Sequence, residues 1–170
     1  MTIKELYEQS TIFLQKSEDI SLLFLRVILV YTFYGPAMAK LADIESTANF
    51  FGYLGIPFPL LNAYMAAGTE LVGAVLLALG LLTRLISVPL LFVLGVAILT
   101  VHAAHGFHVI MPGNAFTWEN PYINGVEVKG TVVILQNGYE MVMYYMAMLM
   151  VLVGKGAGRI SLDHLLFKRS

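Results

Sequence analysis

The feature that most constrains this chain is a series of apolar stretches, each long enough or nearly long enough to cross a lipid bilayer. A helix crosses the hydrocarbon core in about 20 residues, and the stretches cover residues 20–40, 61–82, 85–105 and 139–153. Only 12% of the residues are charged, about half of the share found in soluble domains. The sequence therefore predicts an all-α membrane protein that folds as a bundle of four transmembrane helices.

The basic residues indicate which way the four predicted helices cross the membrane. Lysine and arginine are enriched in the cytoplasmic loops of membrane proteins. With the N-terminus inside, eight of the ten basic residues fall on the cytoplasmic side: Lys4, Lys16, Arg26, Arg84, Lys155, Arg159, Lys168 and Arg169. Lys40 and Lys129 are left outside. We therefore expect both termini in the cytoplasm, a multi-pass protein of the bacterial inner membrane, and the lipid bilayer as its main partner.

Three segments outside the predicted spans are interpreted separately. The loop 106–138 faces outward in this topology, and Asn124-Gly125 lies between two β-prone segments, which predicts a small β-hairpin. The stretch 41–60 is predicted to be turn and loop. After the last span, Ser161 is placed to cap a short helix. That helix is expected to lie on the inner membrane surface through Leu162, Leu165, Leu166 and Phe167.

Composition excludes several classes of function. The formal net charge is −1, so nothing indicates a nucleic-acid partner. The chain has no cysteine, which excludes disulfides, thiolate metal sites and thiol redox relays. The fourth stretch is rich in methionine, but these residues spread around the helix. Packing or lipid contact is therefore favoured over copper binding by those methionines.

Ionisable residues inside the bilayer need a structural or functional explanation, because placing each one in the membrane costs about 3 kcal/mol of free energy unless it is paired. All four predicted spans bring polar residues to the outer half of the bundle. The cluster hypothesis gives catalytic roles to Lys40, Glu70 and His102, and ligand-binding roles to His105, Glu140, Tyr34, Tyr144 and Asn137. The competing interpretation, weighted equally, is that Lys40 and Glu70 simply pair and the histidines reach the membrane interface.

Two chemistries fit such a cluster. A carboxylate and a histidine near the interface can exchange protons with a quinone head group. Alternatively, His102, His105 and Glu140, with His108 as a further candidate, could hold copper or zinc. The charges on the inner side are interpreted as structural, with Arg26 snorkelling inward or pairing with Asp163; this set comprises Arg26, Arg84, Arg159 and Asp163.

Several short motifs, in this order and spacing, resemble the DoxX/DoxD family of small bacterial membrane proteins. The resemblance covers about residues 20–165 and predicts one DoxX-like domain over 1–170. The motifs are Leu25-Arg26, Gly35 to Leu41, Phe51 to Pro57, Glu70 to Gly73, Gly80 to Arg84, His102 and Gly156 to Asp163. The long third loop, which ends in Asn137-Gly138-Tyr139-Glu140, is similar to a subgroup from pathways that make copper-binding modified peptides.

The resemblance implies more about the fold than about the chemistry. Some family members are described as membrane subunits of thiosulfate:quinone oxidoreductase, and others as membrane anchors in oxidative-stress complexes. The leading interpretation is a membrane subunit of a bacterial oxidoreductase system acting near quinone, with a protein partner that supplies electrons. The first alternative is a non-catalytic anchor or maturation partner in a copper-related or oxidative-stress pathway, and the second is a small-molecule transporter. A homo-oligomer is left open.

Overall fold

The computed structural model describes residues 2–4, 6–7, 11, 17–111, 122–123, 126–127, 134–135 and 137–167. Helices account for most of these residues, which confirms the all-α prediction. We label the helices α1 to α6: Glu18–Ala42, Ile44–Tyr53, Pro59–Leu79, Thr83–His105, Glu140–Lys155 and Leu162–Phe167. Helix α4 is α-helical over Thr83–Ala97, continues as a π turn over Ile98–His102, and ends in a 3₁₀ turn at Ala103–His105.

Three of these helices are long and apolar enough to cross a membrane. Helices α1, α3 and α4 contain 25, 21 and 23 residues, and a helix of this length spans at least about 30 Å. They correspond to the first three predicted spans. Helix α5, in the place of the fourth, contains 16 residues, or about 24 Å. Within the described residues, three candidate spans are therefore confirmed.

The prediction of turn and loop for 41–60 was wrong over half of its length. Helix α2 fills residues Ile44–Tyr53, and it begins where the side chain of Asp43 accepts a hydrogen bond of 2.9 Å from the main-chain N–H of Ser46. This is an ordinary N-cap, with Glu45 favourably placed in the first turn. The helix is short and less apolar than the spans, so a search for long apolar stretches does not detect it.

Helix packing centres on α3. Helix α1 packs along it most extensively, α2 and α4 also contact it, and α5 packs mainly on α4. The buried core joins all of the long helices: Leu22, Leu29, Phe33, Ala74, Leu77, Leu90, Leu94, Val142, Leu149 and Leu152. Between α3 and α4, the side chain of Leu90 lies directly against Gly73, where any Cβ would clash with it. This contact fixes the register of the antiparallel pair.

A tight turn, Gly80–Leu82, joins α3 to α4. Gly80 adopts φ 63° and Leu82 adopts φ 50°, a left-handed conformation that is costly for a residue with a side chain. Asp163, far along the chain, accepts hydrogen bonds from the N–H groups of Leu82 at 2.7 Å and Thr83 at 3.0 Å. Its own N–H donates to Gly80 O at 2.9 Å. The turn is therefore completed by the part of the chain that follows the last long helix, residues 156–167, which we call the C-terminal segment.

Replacing Gly80 with alanine is expected to destabilise the protein by more than the backbone conformation alone explains. The added Cβ would have a positive φ and would also collide with the guanidinium of Arg26. Gly55 is a matched control, because it has φ 77° but no atom within 4 Å of an added Cβ. We expect Gly55→Ala to cost about 1 kcal/mol of unfolding free energy and Gly80→Ala clearly more, measured by unfolding in mixed micelles. Equal losses would contradict this packing.

The loop between α4 and α5 is closed at its base by main-chain hydrogen bonds. Tyr139 N donates to Gly106 O at 3.1 Å, and Glu140 N donates to Phe107 O at 2.9 Å. The loop contains four two-residue strands: β1 (Ile110–Met111), β2 (Tyr122–Ile123), β3 (Val126–Glu127) and β4 (Ile134–Leu135). Strand β1 pairs antiparallel with β4, and β2 with β3. The turn of the predicted hairpin, 124–125, lies outside the described residues.

The C-terminal segment ends in the short helix α6. The hydroxyl of Ser161 accepts a hydrogen bond of 3.2 Å from the N–H of His164, which confirms the predicted cap. Leu165, Leu166 and Phe167 are all strongly exposed.

Candidate functional site

A part-buried ion pair joins α1 to α3. Lys40 Nζ donates to Glu70 Oε2 at 2.6 Å. Glu70 is only 6% exposed, and it lies near the middle of α3. Lys40 is in the last turn of α1, where the helix dipole favours a cation, and its side chain extends to the carboxylate. A charge pair at this depth must be tightly matched, because both groups lose hydration.

The ion pair forms part of the wall of an apolar cavity of about 340 Å³. This volume lies at the lower end of the range for small-molecule sites. Helices α3 and α4 form the two long walls, and α2 covers the end farthest from the Gly80–Leu82 turn. The remaining lining is mostly apolar: Phe50, Phe51, Leu54, Ile56, Met65, Ala66, Pro89, Phe92, Val93, Val96, Ala97 and Val101, with Asn62, Thr69 and Thr100 as polar members.

The register between α3 and α4 explains why this space is open. Leu90 packs against Gly73 on the side of the cavity toward the turn. Counting outward from that contact in the antiparallel pair, we infer that Glu70 lies opposite Val93 and that Ala66 lies opposite Ala97. Two alanines that face each other leave a gap, since neither side chain is large enough to fill the space between the helices.

The π turn of α4 lies beside the cavity. Thr100 and Val101 belong to both the π turn, Ile98–His102, and the cavity lining. The Thr100 hydroxyl donates back to Val96 O at 2.8 Å, so its polar atom is already satisfied by the helix. Such turns add a residue to the helix and are frequent at functional sites. Here the π turn alters which side chains of α4 face α3.

A second polar group lies at the base of the loop between α4 and α5. Glu140 Oε1 accepts from Tyr144 Oη at 2.7 Å, and its Oε2 accepts from Val109 N at 3.2 Å. His108 Nδ1 lies 3.9 Å from the same oxygen. His102 Nδ1 lies 2.8 Å from the main-chain oxygen of Asn137. These contacts join the two ends of the loop.

The residues of the predicted cluster are thus found in two groups. Lys40 pairs with Glu70, and Glu140 pairs with Tyr144; within the part of the chain that the structure describes, no hydrogen bond or ion pair joins one group to the other. Tyr34 and His105 are exposed and join neither group through such contacts. The cavity and the Lys40–Glu70 pair therefore form the better-defined candidate site.

The metal hypothesis finds no assembled ligand set. Among the residues with described positions, no three side chains of His, Asp or Glu come together as metal ligands would. His102 faces the Asn137 oxygen, whereas Glu140 is occupied by Tyr144 and Val109. The predicted set of His102, His105 and Glu140 is not gathered at one point.

The inner charges hold chain segments together. Arg26 is 1% exposed, and its guanidinium donates to the main-chain oxygens of Leu77, at 3.4 Å, and Ile160. It was expected to snorkel or to pair with Asp163. It is buried and hydrogen-bonds to these carbonyls, and Asp163 is near enough to interact with it electrostatically. Arg84 Nη2 donates to Lys155 O at 3.3 Å.

Arg159 joins the C-terminal segment to the start of α1. Its N–H donates to Asp19 Oδ1 at 2.7 Å, and its Nε lies 3.7 Å from Asp19 Oδ2. Sequence reasoning did not identify this partner, and it also missed Ala66, Ala97 and the α2 residues of the cavity. The only sequence signal for the cavity residues was that they recur every three or four positions along α3 and α4. Buried core residues show the same spacing, so it does not single out a cavity.

These observations define a multi-pass membrane protein with a part-buried ion pair beside an apolar cavity. The sequence pattern of the DoxX family matches residues 21–103. The chain belongs to the DoxX family, as its motifs predicted, and is a multi-pass protein of the bacterial inner membrane.

Several curated proteins are similar to this chain. A Bacillus subtilis protein named "Putative oxidoreductase CatD" is 31% identical over 134 residues, covering 70% of this chain and 98% of the relative. An uncharacterized protein of Haemophilus influenzae is 29% identical over 153 residues, covering 88% and 85%. "Inner membrane protein YphA" of Escherichia coli is 32% identical over 87 residues, covering 51% and 62%. No solved structure matches the chain.

Proposed function

We propose that this protein is the membrane subunit of an oxidoreductase system and acts on quinone at the Lys40–Glu70 pair. The observation that carries the proposal is a part-buried carboxylate–ammonium pair in the wall of an apolar cavity between membrane-spanning helices. The family relative from Bacillus subtilis carries an oxidoreductase name, which agrees with this class of chemistry.

The pair supplies what a quinone needs from a protein. Reduction of a quinone to a quinol takes up two electrons and two protons. The Lys40 ammonium can donate a hydrogen bond to a quinone oxygen. The Glu70 carboxylate can take up a proton from water and pass it to the reduced quinone, and two such transfers supply the two protons. The electrons come from a partner protein, with this chain providing the quinone site. The copper-related anchor and the transporter stay as alternatives without a specific structural observation in their favour.

The proposal includes a membrane arrangement with four spans and both termini inside. Helix α5 is the fourth span, and its short length is compatible with snorkelling by Lys155 at its end. The distribution of basic residues supports this direction. The loop 106–138, with its hairpin, then faces the periplasm. Helix α6 lies on the inner surface, with support from its exposed apolar side chains.

Replacing Glu70 with glutamine tests the quinone site directly. We expect the affinity for a short-chain ubiquinol analogue to fall about tenfold, because the quinol hydroxyl donates to the Glu70 carboxylate and a hydrogen bond to a charged partner contributes about 1.5 kcal/mol. Affinity is measured by titration of the full chain in lipid nanodiscs. Glu45→Gln is the matched control, since Glu45 is an exposed carboxylate of α2 that does not line the cavity. Unchanged affinity in Glu70→Gln would refute the assignment of the site.

A further inference from the structure

We infer that the cavity beside Lys40 and Glu70 is filled from the lipid phase, through a side window between Met65 of α3 and Phe92 of α4. The ligand class is a small ring that dissolves in the bilayer, with any long apolar chain left outside in the lipid. The identity of that ring as a quinone rests on the proposed function. The route of entry rests on the exposure of the cavity walls alone.

Four lining residues are also exposed at the surface, namely Phe50, Met65, Pro89 and Phe92. Of these, Met65 and Phe92 define the window. Met65 is 58% exposed and Phe92 is 74% exposed, yet both line the cavity. They lie on α3 and α4, two of the three helices that are long and apolar enough to span a membrane. An exposed apolar side chain on a spanning helix faces lipid, so the space behind Met65 and Phe92 borders on the hydrocarbon.

The other sides of the cavity are better closed. Toward the Gly80–Leu82 turn, Leu90 packs against Gly73. At the opposite end, α2 lies over the cavity, with Phe51 and Leu54 in its lining. The Lys40–Glu70 pair forms the wall next to α1. A molecule that enters through the window therefore meets the ion pair at the back of the cavity.

The volume also favours partial enclosure of a lipid-soluble ligand. About 340 Å³ is the lower end of what small-molecule sites provide, which suits one ring and not a ring with a long chain. The lining is largely apolar, with the ion pair as its charged feature. A lipid-soluble molecule with a polar ring and an apolar chain satisfies both parts of this surface.

Photolabelling can separate entry from lipid and entry from water. The full chain in nanodiscs is irradiated with a small aryl diazirine that dissolves in lipid, or with a water-soluble analogue that carries a charged group. Mass spectrometry then locates the label. We expect the lipid-soluble reagent to label peptides containing Ala66 and Ala97, and the charged analogue to leave them unlabelled.

A reversible tether tests the window itself. Because the chain has no cysteine, Met65→Cys with Phe92→Cys provides a unique pair for a short bifunctional reagent that contains a disulfide. Leu79→Cys with Leu85→Cys is the matched control: both residues are exposed, neither lines the cavity, and they flank the Gly80–Leu82 turn that already joins α3 to α4. We expect the window tether to abolish cavity labelling, reduction to restore it, and the control tether to leave it unchanged.

The outcomes distinguish the window from the quinone proposal. Any one of three results would overturn entry from lipid. The cavity is labelled despite the window tether, the lipid-soluble reagent fails to label it, or the charged analogue labels it equally strongly. Protection of Ala66 and Ala97 by excess quinone supports the quinone site. Labelling through the window without such protection would remove quinone as the ligand and leave the route of entry standing.

Discussion

Replacing Lys40 with methionine is expected to lower the free energy of unfolding by about 3 kcal/mol, because it leaves the Glu70 carboxylate buried without its partner. The loss is much larger than that for an exposed ion pair, which contributes at most about 1 kcal/mol. Lys155→Met is the control for the exposed case, because Lys155 pairs with Glu18 at 3.0 Å while both side chains are largely in solvent. Equilibrium unfolding of the purified chain in mixed micelles provides the measurement.

A double-mutant cycle shows whether the loss belongs to the pair. Adding Glu70→Gln to Lys40→Met removes the uncompensated charge, so the double variant is expected to regain much of the lost stability. Glu70→Gln alone leaves Lys40, whose side chain is partly exposed, and is expected to cost less than Lys40→Met. If Lys40→Met proved no more costly than Lys155→Met, the carboxylate would have to be hydrated, and the burial of Glu70 would be wrong.

Replacing Arg26 with methionine is expected to release the C-terminal segment and to cost about 3 kcal/mol of unfolding free energy. The substitution removes the donor that serves the main-chain oxygen of Ile160 and one of the two that serve Leu77 O, which still accepts from the N–H of Gly80. A buried acceptor left without a partner costs about 1–3 kcal/mol. Because Ile160 lies in the C-terminal segment, we also expect faster proteolysis between residues 156 and 163. Gel analysis of limited digests and unfolding curves measure the two effects.

Arg159→Met serves as the control for Arg26. Arg159 also binds the C-terminal segment to α1, but its side chain is 80% exposed, and its main-chain bond to Asp19 does not depend on the side chain. We expect a loss below about 1 kcal/mol. Comparable losses in both variants would mean that general positive charge near the inner surface, and not the buried guanidinium of Arg26, holds the segment.

The sequence predicts those features of the fold that depend on length and composition alone. Apolar stretches locate α1, α3 and α4, since a span needs a fixed number of apolar residues. The pairing of Lys40 with Glu70 also appears as one of two interpretations, because the predicted topology places both in the outer part of the bundle. Helix α2 is missed, because its ten residues depend on a local cap at Asp43 and on packing against α3.

The cavity could not be predicted, because it depends on how two helices are aligned. Ala66 and Ala97 face each other only because Leu90 packs against Gly73 and fixes the register. A shift of one turn would place larger side chains opposite each alanine and fill the space. The partners of Arg26 could not be predicted either, because main-chain oxygens have no sequence signature. Which of these oxygens is free near a buried guanidinium depends on the completed fold.

The cap on α4 has a consequence for how the protein is made. The strained Leu82 and the first N–H groups of α4 are stabilised by Asp163, about 80 residues later in the chain. During synthesis α3 and α4 are therefore made before the residue that completes their junction. The order of the chain separates the formation of this helix pair from its stabilisation, which waits for the segment that follows α5.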